Sequence, residues 1–238
     1  MEKVAKICYI FDMKEFLLLR RILLITAVLS LTAFPIHAQG FFSNISWFAE
    51  VSVLLFPEDN GMESGPMPIL PSPGLGASYR FNNMFRLEST LDFYMAIYGY
   101  SDELGRAVPQ EVEHRSAQVI GSILGIQTAG YFNFFSFLTL RAFAGLTADL
   151  RIVMVAFDLG PDDGDASKQT DSVRDYFWSQ GRWLFPVLGV GADFLIDRNF
   201  RLGIDLRVWA PLYRLWSGED LPAIEGWRFG GGLRLGFR

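Results

Sequence analysis

Cysteine is almost missing: Cys8 is the only one in 238 residues. Histidine occurs twice, at His37 and His114, and beyond residue 38 lysine occurs once, at Lys168. If the first 38 residues are removed, no thiol remains. That excludes disulfides, cysteine zinc sites and a cysteine nucleophile, and one histidine excludes a histidine-rich metal centre. Positive charge is scarce as well. Residues 39–238 hold 16 Lys and Arg against 23 Asp and Glu, a net charge of −7. No basic patch survives, which argues against a nucleic-acid partner. Nor is there a run of about 20 apolar residues for a membrane-spanning helix. If the chain crosses a membrane, strands must do it.

The N-terminus has the composition of an address. Arg20-Arg21 precede an apolar run from Ile22 to Leu31, followed by Pro35-Ile36-His37-Ala38. A basic flank, an apolar centre of about ten residues and a small residue at the cut describe a secretory signal peptide, residues 1–38. Met13-Lys14 is an alternative start. No cysteine follows the run, so lipid attachment there is not expected.

From residue 45 onward, apolar and polar residues alternate with period two, the strand signature. In 138–154, nine alternate positions from Leu138 to Met154 are apolar, opposed by Thr139, Arg141, Thr147, Asp149 and Arg151. Residues 85–97, 200–212 and 227–237 repeat the pattern. Weaker versions run through 45–56, 74–81, 114–131 (polar side Ser116, Gln118, Ser122) and 182–196, where Pro186 predicts a bulge or bend. Eight strands result. Long connections (57–73, 101–113, 157–180, 214–225) alternate with short ones, as in an up-and-down antiparallel meander with long loops on one rim.

Two architectures fit: a lipocalin-like soluble barrel with the apolar face inward, or a membrane barrel with that face outward. Three features favour lipid outside. Stripes of seven to nine apolar positions imply strands of about 13–17 residues, beyond the usual 5–6 of soluble sheets. Residues 39–238 contain 15 Arg but one Lys, and Arg suits a confined interior where it pairs bidentately. Aromatics gather near the stripe ends: Tyr131, Phe132, Phe134 and Phe135 at one rim, and Phe177, Trp178, Trp183, Tyr213, Trp216 and Trp227 at the other, as girdles require.

The fold class expected is all-β, an eight-stranded antiparallel up-and-down transmembrane β-barrel spanning residues 39–238. The polar face then becomes a charged lumen of Glu50, Arg80, Arg86, Glu88, Asp92, Arg141, Asp149, Arg151, Asp193, Arg201, Asp205, Arg207, Arg228 and Arg234. An eight-stranded interior is just wide enough for side chains to fill. Unpaired charges there are costly, so these should cross-link into a plug. The alternative is a narrow Arg-lined path for ions or small solutes.

The leader, the eight alternating strands, the acidic long loops and the aromatic-ended last strand resemble the small outer-membrane barrels of diderm bacteria, the group of the OmpA membrane domain, OmpX and OmpW. The resemblance is architectural and covers residues 40–238. It implies a location in the bacterial outer membrane, with membrane lipid and the barrel-assembly machinery as partners. The group's closing signal is usually an aromatic final residue; here Phe237 is followed by Arg238. OmpW-like members have a largely apolar lumen open sideways to lipid, which the charged face here does not match.

Little chemistry is visible. His114-Arg115-Ser116 resembles the His-x-Ser of outer-membrane lipid A deacylases, the basis of a remote lipid-modifying reading. Yet no Asp or Glu occurs between Glu113 and Asp149 to orient the histidine. Ser116 is read as a solvated residue at a loop–strand junction. The stretch Asp158–Asp165 is acidic and glycine-rich but lacks the spacing and closing Glu of a calcium loop. No enzyme and no cofactor are expected. A structural or surface-interaction role is, with a possible extracellular ligand at loops 57–73 and 157–180. The first of these is stiffened by Pro57, Pro66, Pro68, Pro71 and Pro73.

Overall fold

The strands close on themselves because the first two pair with the rest at both ends. In the computed structural model, which describes residues 44–58, 69–110, 116–155, 163–197, 200–219 and 223–237, nine strands form. They are β1 (Ile45–Leu55), β2 (Ile69–Arg80), β3 (Phe85–Ser101), β4 (Arg106–Pro109), β5 (Ala117–Asn133), β6 (Leu138–Val155), β7 (Leu184–Leu195), β8 (Phe200–Trp209) and β9 (Arg228–Phe237). Their order is β2-β1-β9-β8-β7-β6-β5-β3-β4, and β2 also pairs with β3. All pairings are antiparallel. β4 is a short hairpin turning back on the end of β3, so eight strands make the closed wall. Closure leaves no bare edge. The leader, His114 and Asp158 to Asp162 lie outside the described residues.

Orientation is decided by accessibility. Leu140, Leu202 and Leu233 are 40%, 38% and 56% exposed, whereas Arg141 and Arg234 beside them are 2% and 6% exposed. The lipocalin-like alternative is thereby excluded. Exposed leucine, isoleucine, valine and phenylalanine encircle the barrel on every one of its eight strands. Soluble monomers rarely expose contiguous apolar patches beyond a few hundred Å². A belt that goes all the way round is the solvent-facing surface of a protein whose solvent is lipid. Among the described residues no helix is long and apolar enough to cross a membrane, which leaves the strands as the spanning elements.

Large side chains fit inside because glycines make room. Phe48 pairs with Gly76, Tyr94 with Gly121 and Phe143 with Gly189, each directly across a strand pair. A Cβ on any of these glycines would come within 2.1 Å of the neighbour's ring. Each ring therefore lies over bare backbone, filling the narrow interior without pushing the strands apart.

Several expectations are corrected. β2 begins at Ile69, so Pro71 and Pro73 lie in a strand rather than in the first long loop. They pair with Val53 and Val51 of β1, while β3 joins β2 only from Gly74 onward. The missing prolyl N–H groups thus cost no ladder bond. Pro186 sits in register with Leu146 and causes no slip along β6–β7; the β7–β8 ladder starts one residue later, at Val187. In β5 the parity is the reverse of that read from sequence. Val119, Ile123, Gln127 and Tyr131 are buried, whereas Ile120, Leu124 and Ile126 are exposed. Gln118 and Ser122 share this outward parity, and the Gln118 amide reaches the Met95 sulfur. Only β3, β5 and β6 reach 17–18 residues; β8 and β9 have ten.

Candidate functional site

Period-two alternation delivers the charged residues to the lumen in three clusters, the first two of them linked. The first centres on Glu88 of β3, which is 0% exposed. It accepts hydrogen bonds from Tyr131, from Gln127 (3.0 Å), from Arg141 (2.5 Å) and from Arg234 (2.9 Å). Arg141 also pairs with Asp205, which joins the first cluster to the second. There Arg207 donates to Glu50, to Asp92 (3.2 Å) and to Asp205 (3.3 Å). The third lies around Asp149, which accepts from Arg228 (2.5 Å), Arg151 (2.7 Å) and Tyr94 (2.9 Å).

The guanidinium faces are covered too. Arg234 lies over Phe48 at 3.5 Å, Arg228 over Phe185 at 3.8 Å and Arg151 over Phe177 at 3.9 Å. Fork-shaped pairing in the plane and an aromatic ring on the face satisfy arginine on both of its surfaces. Each of these three guanidinium groups is thus compensated twice, the condition under which buried ions are tolerated.

Eleven of the fourteen expected lumen residues are buried: Glu50, Glu88, Asp92, Arg141, Asp149, Arg151, Asp193, Asp205, Arg207, Arg228 and Arg234. Arg80, Arg86 and Arg201 are half-buried, all three near the tight-turn rim. Arg86 stacks on Tyr131 at 3.9 Å. Arg201 and Asp193 line a cavity of about 440 Å³ with Asn133, Thr139, Phe134 and Phe135 at that rim. Above it the lumen is filled. The cavity beside Glu50, Asp205 and Arg207 is about 10 Å³, at most the volume one water needs.

The other mouth is covered by the long loops. Helix α1 (Asp163–Trp178) and a 3₁₀ turn (Ser179–Gly181) precede β7, and a one-turn helix α2 (Arg214–Ser217) follows β8. From α1, Val173 and Phe177 are buried, and Phe177 meets Tyr98 edge-on at 4.9 Å. The Trp178 indole donates to the Arg151 carbonyl at 3.1 Å and that of Trp216 to the Gln180 carbonyl at 2.7 Å. Ion pairs Arg106–Glu225 and Arg182–Glu219 tie loop to loop. The later part of the third long loop, α1, is therefore a packed lid. Phe177, Tyr213 and Tyr131, placed in the girdles by sequence, are buried instead, while Trp178, Trp183 and Trp216 are exposed as expected. Ser116 is likewise buried, at 1% exposed, and not solvated.

Sequence reasoning overlooked Tyr94, Gln127 and Tyr131 as network members. The first shares the inward parity of Asp92 and would have been found by reading polar aromatics as lumen donors. Glu58, just beyond β1, was overlooked too. Its Oε2 is enclosed without a hydrogen-bond partner among the described residues. Burial pushes its carboxyl pKa up, opposed by the positive charges of Arg151 and Arg228 and by Tyr98. Burial also lifts the Tyr213 phenol to about 12. For an acid whose folded pKa is raised, the stabilisation is complete below the unfolded value, roughly pH 4.3 for glutamate, and is lost as pH rises through the folded one. Urea unfolding midpoints should therefore fall as pH rises above that range, and Glu58→Gln should flatten this part of the profile.

No family model and no curated protein matches the chain. Among solved structures it is similar to Neisserial surface protein A, with 13% identity over 82% of this chain and 96% of that one at a TM-score of 0.49. It is similar to the outer membrane protein OprG of Pseudomonas aeruginosa, with 10% identity over 82% and 96% at 0.47. It is also similar to Ail, the attachment invasion locus protein of Yersinia pestis, with 10% identity over 81% and 95% at 0.45. Independently of these likenesses, eight antiparallel strands with an apolar outside and a charged inside make this chain a barrel of the outer-membrane type.

Proposed function

We propose that this chain is a plugged barrel of the bacterial outer membrane, a structural or surface-interaction protein whose long loops make its contacts outside the cell. The observation that carries the reading is the filled lumen. Three charge clusters leave about 10 Å³ beside Arg207, beneath a lid that buries Val173 and Phe177. A solute path would need the Glu50–Arg207 and Arg141–Asp205 pairs to part together, and each broken buried pair costs several kcal/mol. The lid presents α1 and α2 outward, on the rim opposite the tight turns. A lipid-modifying role finds no support in Ser116, which is buried.

Conductance separates this reading from a narrow channel. The purified full-length protein in planar bilayers should give no reproducible stepwise openings, and openings that persist would overturn the plug. For the surface role, cells displaying the chain should adhere to a protein-coated surface more than cells displaying a barrel with exchanged 57–68 and 157–180 segments. Equal adhesion would refute it.

A further inference from the structure

At the level of Arg207 two acid side chains meet from different strands. Glu50 of β1 and Asp92 of β3 both use one oxygen to accept from Arg207. Their other oxygens, Glu50 Oε1 and Asp92 Oδ1, are buried and accept no hydrogen bond among the described residues. Held on the same guanidinium, the two carboxyl groups lie close together. Gly74 of β2, paired with both residues, makes the approach possible. A Cβ there would fall 2.1 Å from Asp92 Oδ1 and 3.1 Å from Glu50 Cγ. The strand between the acids thus contributes no side chain, and the carboxyls close over its backbone.

Two ionised carboxylates held on one guanidinium, each with a donorless oxygen, repel, and in a low-dielectric interior that repulsion is large. The charged groups around them do not remove it. β8 supplies Arg207, already shared with a third carboxylate, Asp205; β6 supplies Arg141, committed to Glu88 and Asp205; β9 supplies Arg234, committed to Glu88; the one charge of β2, Arg80, lies at its end by the tight-turn rim. Three arginines thus face four acids in the two lower clusters. Arg151 and Arg228 both bind Asp149 in the cluster above.

We infer that Glu50 and Asp92 share one proton, forming an acid–carboxylate hydrogen bond that is a proton-binding site at the centre of the plug. The proton supplies the donor both free oxygens lack and brings the two lower clusters to charge balance. When it leaves, a second full negative charge stands against Glu50 with only Arg207 nearby, and the plug loosens where it is narrowest. The site lies in the charged lumen and does not depend on what the loops bind.

The test uses full-length protein in lipid vesicles carrying Glu58→Gln, which removes another acid that burial favours in its protonated form. Infrared difference spectra between this protein and its Asp92→Asn derivative should show loss of one protonated-carboxyl carbonyl band. Glu50→Gln should remove the same band. As the solution is made alkaline, the folded fraction should fall by up to tenfold in the unfolding equilibrium per pH unit while the proton leaves. Asp92→Asn should abolish that fall, because an amide donates the same hydrogen bond at every pH. A band unchanged in both variants would overturn the inference. So would a stability that follows sodium concentration at fixed ionic strength, since a bound cation would then replace the proton. Failure of both amide variants to fold would also overturn it, because either amide supplies the missing donor.

Discussion

Glu88→Ala should destabilise the barrel by roughly 3–5 kcal/mol, the cost of leaving buried charges without their partner. Glu88 is fully buried and accepts from four side chains on three other strands: Gln127 and Tyr131 of β5, Arg141 of β6 and Arg234 of β9. Removing the carboxylate takes a partner from two guanidinium groups at once. Arg141 keeps Asp205, but Arg234 has no other ion pair among the described residues. Glu88→Gln should cost less, since its amide oxygen still accepts. Tryptophan fluorescence during urea unfolding in vesicles measures the difference, and heat-modifiable migration on gels reports whether the barrel forms. A loss under about 1 kcal/mol would mean that the pair behaves like a surface ion pair and that water reaches it.

What the sequence made legible follows from the same alternation. A strand's side chains change sides at every residue, so one correct assignment fixes all the others along it. Arg141, Asp149 and Arg151 on β6 are legible for that reason, as are Asp205 and Arg207 on β8. β5 misleads because both its faces are apolar: Val119 and Ile123 go inward beneath the rings of β3, and Ile120 and Leu124 go out to lipid. Polarity then carries no sign, and Gln118 and Ser122 pointed the wrong way.

Which acid meets which arginine was not legible. Arg207 and Glu50 are 157 residues apart, and Arg234 and Glu88 are 146. Their meeting depends on the stagger accumulated around the closed wall, which no local pattern records. The lid was legible only in part. Thr170, Val173 and Phe177 recur at helical spacing and are the buried face of α1, yet the acidic, glycine-rich start of the loop masked that short stripe. Aromatic type misled for Tyr131, Phe177 and Tyr213, because a ring at a rim serves equally as a girdle or as the end of a plug.

Leu146→Arg tests the orientation on which the membrane reading stands. Leu146 lies midway along β6, is 54% exposed and points away from the lumen, with Thr147 beside it buried. If lipid covers this face, an arginine there must take a guanidinium to the centre of the hydrocarbon, at a cost of about 2–4 kcal/mol. Ile152→Arg, six residues nearer the long-loop rim and 63% exposed, should cost only about 0–1 kcal/mol because the side chain snorkels to the interface. In water the comparison would come out otherwise: two exposed leucine-like positions would accept arginine with similar ease. The depth dependence between two equally exposed sites on one strand is therefore the quantity to measure, by urea unfolding in vesicles. Equal costs for the two substitutions would leave the apolar belt without the lipid that its extent demands.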